Sequence, residues 1–388
     1  MKTNHPFFST KHLLCAVLLA SSSLSFAASN SPKQQFEQAE QLLKENKNAQ
    51  AFALLKTAAE AGNVPAQAEL ARQYMDEEAD YFDYAQAMVW AKKAAATNNL
   101  SGMNSIGYLY DHGYGVEENN EEAIKWFSKA AKAGFPKSQF SMGVLYKTEE
   151  GLPYDAEKML YWYNLSAKSG YLDAQLELAD LYQQGCMEGV DVDAKKAVYW
   201  YEQALKQNDA EAQYQLGRIY QDGLEEIKPN AKKALQYLTL AANQEHSFAL
   251  NSLGVIYHDG MDEVEPDAQK AIAYYKQAAE LGNEVSYENL GLIYEQSGDI
   301  NTALDMYKQA GEMGSEDGYF SVAEIYDSSD KIKTDKKEAF KYYKLAAEEG
   351  NEKAQLRLAD MYEQGIGTKK DLKQAKYWRE ISAEDMEM

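Results

Sequence analysis

Apolar residues along this chain fall into two kinds of helical stripe that alternate over most of its length. In one segment Ala174, Leu178, Ala179, Leu181 and Tyr182 gather mainly on one helical face. In the next, Ala197, Trp200, Tyr201 and Ala204 stand at offsets of zero, three, four and seven. Each is the pattern of an amphipathic helix with one buried side. The pair of stripes then recurs: AQLELADLYQQG at 174–185 returns as AQLRLADMYEQG at 354–365. Extending that match gives a tyrosine column at Tyr74, Tyr110, Tyr146, Tyr182, Tyr220, Tyr257, Tyr294, Tyr326 and Tyr362. A second column follows at Trp90, Trp126, Trp162, Trp200, Tyr237, Tyr274, Met306, Tyr342 and Trp378, and it holds every tryptophan in the protein. A period near 36 residues predicts an array of two-helix units, each burying its stripes only against its neighbours.

The boundaries of the predicted helices repeat as well. Three residues before each column tyrosine stands Gly or Ala: Ala71, Gly107, Gly143, Ala179, Gly217, Gly254, Gly291, Ala323 and Ala359. Glycine inside a helix costs roughly 0.5–1 kcal/mol against alanine, so its recurrence implies an offsetting interaction, and close approach of two helix backbones is the expected one. Glycine three residues after the tyrosine (Gly113, Gly185, Gly223, Gly260, Gly365) suits the left-handed residue that ends a helix. Ahead of each second helix comes Asp83, Asn119, Asp155, Asp193, Asn230, Asp267, Asp299, Asp335 or Asp371. Asp and Asn are preferred N-caps, worth about 1 kcal/mol each.

These columns resemble the Sel-one-like repeat (SLR) family, relatives of the tetratricopeptide solenoids. The residues that carry the resemblance are SMGVLYKTEEG, AEAQYQLGRIYQDG and EEAIKWFSKAAKAG. The resemblance implies an all-α fold, a right-handed superhelical solenoid of about ten antiparallel helix-turn-helix repeats, covering residues 35–383. One unit departs: between Tyr294 and Met306 the loop shrinks, and SGDINTALDMYKQAGEMG looks more like a plain tetratricopeptide repeat. The segment QQFEQAEQLLKENKNAQAFALLKTAAEAGN lacks the tyrosine and is expected to be an opening hairpin.

The first 27 residues differ in kind. Lys2 and Lys11 flank no acid, LLCAVLLASSSLSFA follows, and Ser25 and Ala27 sit where a signal peptidase wants small residues. Residues 1–27 are therefore expected to be a cleaved signal peptide, the apolar run being shorter than the ~20 residues a span needs. Cys15 follows Leu14, so no lipid anchor is expected. Residues 28–34 are expected to be a linker and 384–388 an acidic tail, and the mature chain to be periplasmic or secreted. Cleavage removes two lysines and no acid, taking the formal charge from −22 to −24. Such a chain suits neither nucleic acid nor an anionic membrane. The acidity favours a basic protein partner, and it equally serves to keep an exported protein soluble. Cys186 alone would remain, too few for an internal disulfide.

Candidate chemistry is sparse. The nine Asp/Asn residues read as caps, DVDAKK around Asp191 and Asp193 lacks the glycine and distal glutamate of a calcium loop, and His112 and His258 read as turn residues. No metal, cofactor or catalytic set is expected. One cysteine-rich group of secreted SLR proteins has reported penicillin binding, but this chain lacks those cysteines. Function is better sought where the pattern fails to repeat, six and two residues before the tyrosine. In tetratricopeptide relatives the equivalent positions line a concave, peptide-gripping groove. That resemblance makes Tyr108, Phe140, Tyr214 and Phe320 candidate partner contacts and Arg72 and Arg218 candidate anion contacts, with gap-filling between units the competing role for the aromatics. The expected function is an exported, non-enzymatic interaction scaffold for a cell-envelope, cell-wall or host-side protein. The alternatives are a cell-wall or β-lactam hydrolase and a structural subunit of an envelope assembly.

Overall fold

The computed structural model describes residues 30–149, 151–328 and 332–385. The expected leader, including Cys15, lies outside the described residues. Within them the chain forms twenty helices and no strand, and it divides into two compact units at Asp191/Val192. The first unit holds four hairpins: Pro32–Lys44 with Asn48–Glu60, Val64–Gln73 with Tyr84–Ala95, Leu100–Asp111 with Asn120–Lys132, and Pro136–Thr148 with Ala156–Lys168. Helix Leu172–Gln184 packs on the last of these. The second unit opens on Ala194–Leu205 and continues with five hairpins: Ala210–Asp222 with Ala231–Ala242, Ser247–Asp259 with Ala268–Glu280, Glu284–Ser297 with Ile300–Glu312, Glu316–Ser328 with Lys336–Glu348, and Glu352–Gln364 with Leu372–Asp385. The first helix starts inside the stretch expected to be a linker, because Ser31 and Gln34 form a capping box and Pro32 takes the first helical position. The last helix runs to Asp385, into the expected tail.

Every predicted cap acts as one. Side chains of Asp83, Asn119, Asp155, Asp193, Asn230, Asp267, Asp299, Asp335 and Asp371 each accept from a main-chain N–H in the first turn of the second helix. Most of the same residues also close the hairpin. The main-chain N–H of Asp83 donates to the Tyr74 carbonyl (3.0 Å), and Asn119 to Tyr110 (2.9 Å), Asp267 to Tyr257 (2.6 Å) and Asp371 to Tyr362 (2.8 Å) repeat the bond. One cap residue thus satisfies an orphan donor of the second helix while using an orphan acceptor of the first. The five predicted helix-ending glycines all have positive φ, and Glu149 takes the equivalent conformation at φ 62° without one.

The glycine column works differently from expectation. Its closest contact is with a side chain of the second helix, in most units a ring, rather than with that helix's backbone. A Cβ added at Gly107 would stand 2.7 Å from Phe127, one at Gly217 2.6 Å from Leu238, and one at Gly291 2.6 Å from Tyr307. Gly143 and Gly254 are covered in the same way by Tyr163 and Tyr275. The deepest core is consequently the residue after the tryptophan column: Tyr163, Tyr201, Tyr275 and Tyr343 are fully buried. Trp90, Trp200 and Trp378 are buried beside them, while Trp126 and Trp162 are only partly so. Close backbone approach does occur, but between successive hairpins: a Cβ at Gly102 would stand 2.9 Å from the Ala91 carbonyl, and one at Gly318 2.7 Å from the Tyr307 carbonyl.

A contact with no counterpart in the sequence columns joins consecutive repeats at the loops. Five residues after the column tyrosine the chain turns left-handed, at Gly115, Gly151, Glu225, Asp262 and Gly367. That residue rests on the start of the preceding repeat's second helix. Gly115 lies on the main chain of Tyr84, and Gly367 on that of Lys336. Where the residue is acidic, its carboxylate takes over: Glu225 accepts from the Ala194 N–H (3.1 Å) and Asp262 from the Ala231 N–H (2.8 Å). Each of these repeats therefore finishes the N-terminus of its predecessor's second helix.

The ring-over-glycine contact predicts a specific coupling. Gly107→Ala should cost about 1–3 kcal/mol by overpacking, and nearly nothing once Phe127→Ala has removed the ring. A urea-denaturation double-mutant cycle checks this; equal costs in both backgrounds would mean the ring is not what excludes the methyl.

Candidate functional site

The two non-repeating columns behave differently. Six residues before the tyrosine, the side chain reaches toward the next repeat. Asn104 accepts from the Ser138 hydroxyl (2.8 Å), and Asn251 accepts from Ser286 (2.9 Å) and Asn289 (3.0 Å). Glu288 accepts from Ser315. Phe140 packs on Tyr163 and on Tyr171 of the following repeat, both at 5.4 Å between centroids. Tyr214 stacks on His246 at 4.7 Å, and His246 in turn caps the next helix through the Ala249 N–H. Phe320 lies 5.8 Å from Tyr343 within its own hairpin. Phe140, Tyr214 and Phe320 are thus half-buried, filling space within and between repeats while still presenting an edge to solvent.

Two residues before the tyrosine the side chains stand freer. Arg72 is exposed and its guanidinium holds Glu69 on its own helix (Nε to both oxygens, 3.0 Å). Arg218 donates to Asp222 (2.7 Å) and to the Tyr214 hydroxyl (3.1 Å). The Arg218–Asp222 pair is open to solvent and worth about 0–1 kcal/mol, whereas Glu69 is half-buried and accepts from Gln73 (3.0 Å) as well. Tyr108 is 37 % exposed. It belongs to a strip of rings that column reasoning did not reach: Tyr108 lies 4.2 Å from His112 and 5.9 Å from Tyr114, Tyr114 stacks on Tyr84 at 4.3 Å, and Phe82 meets Tyr84 edge-on at 4.6 Å. Phe82, Tyr84 and Tyr114 lie in or beside the loops, where the repeat pattern gives no register.

The histidines sit among polar neighbours. His112 contacts the Tyr108 carbonyl (3.2 Å) and Asp111 (3.3 Å), and His258 lies 3.5 Å from Gln296. Cys186 is exposed and free. A buried charge cluster ties the last two hairpins together. Asp327, 5 % exposed, is paired with Lys336 (2.7 Å) on its own hairpin and Arg357 (2.6 Å) on the next, and the Tyr343 hydroxyl faces it at 3.4 Å. Burial alone would push the Asp327 carboxyl up; hydrogen bonds from Lys336 and Arg357 outweigh it and hold the group below the usual carboxylate range. Among the described residues no helix is long and apolar enough to cross a membrane.

Stacked two-helix units closed by an Asp/Asn cap define a helical repeat protein of the tetratricopeptide-like class. The family model of the Sel1 repeat matches residues 40–63, 64–99, 100–135, 136–171, 172–209, 210–246, 247–283, 286–315, 317–351 and 352–385. The chain belongs to the Sel1 repeat family, and the short-looped unit at 286–315 is matched with the rest. Among solved structures it is similar to a protective antigen of uropathogenic Escherichia coli displaying an SLR fold (28 % identity over 94 % of this chain and 86 % of that one, TM-score 0.59). It is also similar to a Sel1 repeat protein from Oxalobacter formigenes (26 % identity, 86 % of each chain, TM-score 0.53). A comparison with curated proteins found no match. Sel1 and tetratricopeptide-like repeat proteins are generally protein-interaction scaffolds.

The Asp327 cluster gives stability an acid limit. Its carboxyl has a lower pKa folded than unfolded, so its contribution is complete above the unfolded value of about 3.9 and is lost as pH falls through the folded value. Asp327→Asn should therefore destabilise the protein by about 1–3 kcal/mol at neutral pH. The gap from the parent, read as urea midpoints over a pH series, should close below about pH 4.

Proposed function

We propose that this chain is an exported, non-enzymatic scaffold that holds a protein partner along its first helices, through Arg72, Tyr108 and Phe140 in the first unit and Tyr214, Arg218 and Phe320 in the second. One observation carries the reading. Caps, ring-over-glycine contacts and buried stripes repeat from unit to unit, whereas the side chains two residues before the tyrosine change in size, charge and exposure. Packing needs identical contacts in every repeat; recognition needs different ones along the surface, and aromatic and arginine side chains are those that carry binding energy. Export rests on the charged start, apolar run and Ser25/Ala27 exit of residues 1–27. The E. coli structure being that of a protective antigen accords with a place in the envelope or outside the cell. The mature charge of −24 favours a basic client, such as a cell-wall enzyme or a host-side protein.

The test uses tagged residues 28–388 as bait in an envelope extract, beside a Tyr108→Ala/Arg218→Ala bait. The expected result is a discrete protein captured by the parent and lost by the variant. Phe140→Ala and Tyr214→Ala serve less well, because both rings also join repeats. Equal capture by both baits would remove the partner from this face, and no capture at any salt concentration would remove an envelope protein as the client.

A further inference from the structure

Within the first unit, consecutive repeats bring five aromatic rings into one continuous strip. Phe82 and Tyr84 come from the loop and second-helix start of one repeat, and Tyr108, His112 and Tyr114 from the first-helix end and loop of the next. Gly115 holds the two together. A Cβ there would stand 2.9 Å from the Tyr84 main chain, so only the bare backbone lets Tyr114 lie flat on Tyr84. The outer members remain open to solvent, Phe82 at 38 % and Tyr108 at 37 % exposure.

Carboxylates frame the rings. Glu77 accepts from the Tyr84 hydroxyl, and Asp111 lies 3.3 Å from His112. Burial first, and then the Tyr114 phenol, Glu77 and Asp111, push the Tyr108 hydroxyl above the ordinary tyrosine range. A purely apolar docking surface does not need acids at its rim. Ring faces attract cations through their quadrupole, and adjacent carboxylates deepen that attraction. A second copy of this chain, itself strongly acidic, would meet a repulsive field.

We infer that the strip formed by Phe82, Tyr84, Tyr108, His112 and Tyr114, with Glu77 and Asp111 at its edge, docks a lysine or arginine side chain of a basic protein partner. This deepens the scaffold reading and rests on it: the cation lies over the exposed face of the strip with its charge toward Glu77 or Asp111, and the aliphatic stem lies along the rings. The strip would then supply one anchor of the partner, with Tyr108 linking it to the first helix of its repeat.

The probe is an acetylated, amidated Gly-Lys-Ala-Lys-Gly peptide, titrated calorimetrically into residues 28–388 at about pH 7.5, where imidazole is mostly neutral. A norleucine-for-lysine peptide serves as the isosteric control. The lysine peptide should bind about tenfold more tightly than the control, and raising salt from about 50 to about 500 mM should weaken it by about threefold or more. Tyr108→Ala should weaken it about fivefold. Glu77→Gln, which keeps shape and hydrogen bonding, should weaken it about threefold with no change in melting temperature. Equal affinity for the two peptides overturns the inference, as does lysine-peptide binding that neither variant alters. If the envelope bait still captures its partner in that case, the scaffold stands and the cation site falls. If the peptide binds as expected and no partner is captured, the site stands and the choice of envelope client falls.

Discussion

Hairpin closure in this protein depends on one acidic or amide residue performing two tasks at once. Asp267 is representative: its carboxylate accepts from the Lys270 N–H while its own N–H donates to the Tyr257 carbonyl. Helix ends leave unpaired donors at one terminus and unpaired acceptors at the other. Placing the start of the second helix beside the end of the first lets a single residue serve both. The ring of the second helix can then settle over the glycine of the first, which fixes the spacing within the hairpin. The tyrosine column, the cap column and the glycine column are three views of this one arrangement.

The division of labour between repeating and non-repeating positions follows from it. Residues that serve closure have little freedom to vary, and those facing away from the second helix have much. Even so, variation is not by itself a sign of a binding face. Asn104 pairs with Ser138, Asn251 with Ser286, and Tyr214 with His246: as one residue of an inter-repeat pair changes, so does its counterpart. What the proposed function leaves for recognition is narrower, the positions of Arg72 and Tyr108 in the first unit and Arg218 in the second, with loop residues beside them.

Much of this architecture could be read from the residues because its decisive contacts are local. A cap and the N–H it satisfies are three residues apart, so all nine caps were legible. The glycine column was legible as a close approach, but not as a ring contact, since the ring belongs to the other helix and its column beside the tryptophans does not say which residue it covers. The loop contact at Gly115, Asp262 and their equivalents was invisible for a different reason. One structural role is filled by two unrelated chemistries, a missing side chain and a carboxylate, so no column of like residues exists. Phe82, Tyr84 and Tyr114 escaped notice because loops of unequal length carry them. The export reading concerns residues outside those described and stays with the sequence.

The loop contact also gives the array a direction. Where Asp262 completes the helix beginning at Ala231, loss of the later repeat strips a donor-satisfying group from the earlier one. In the other sense the service is done by first-helix side chains, Asn251 accepting from Ser286 and Glu288 from Ser315 at the start of the following repeat. The short link from Tyr294 to Asp299 has no residues to spare for this overlap, since its fifth residue is already the cap. The helix Ala268–Glu280 therefore keeps its start without this contact, and its repeat is tied to the next through Asn251, which accepts from Ser286 and Asn289.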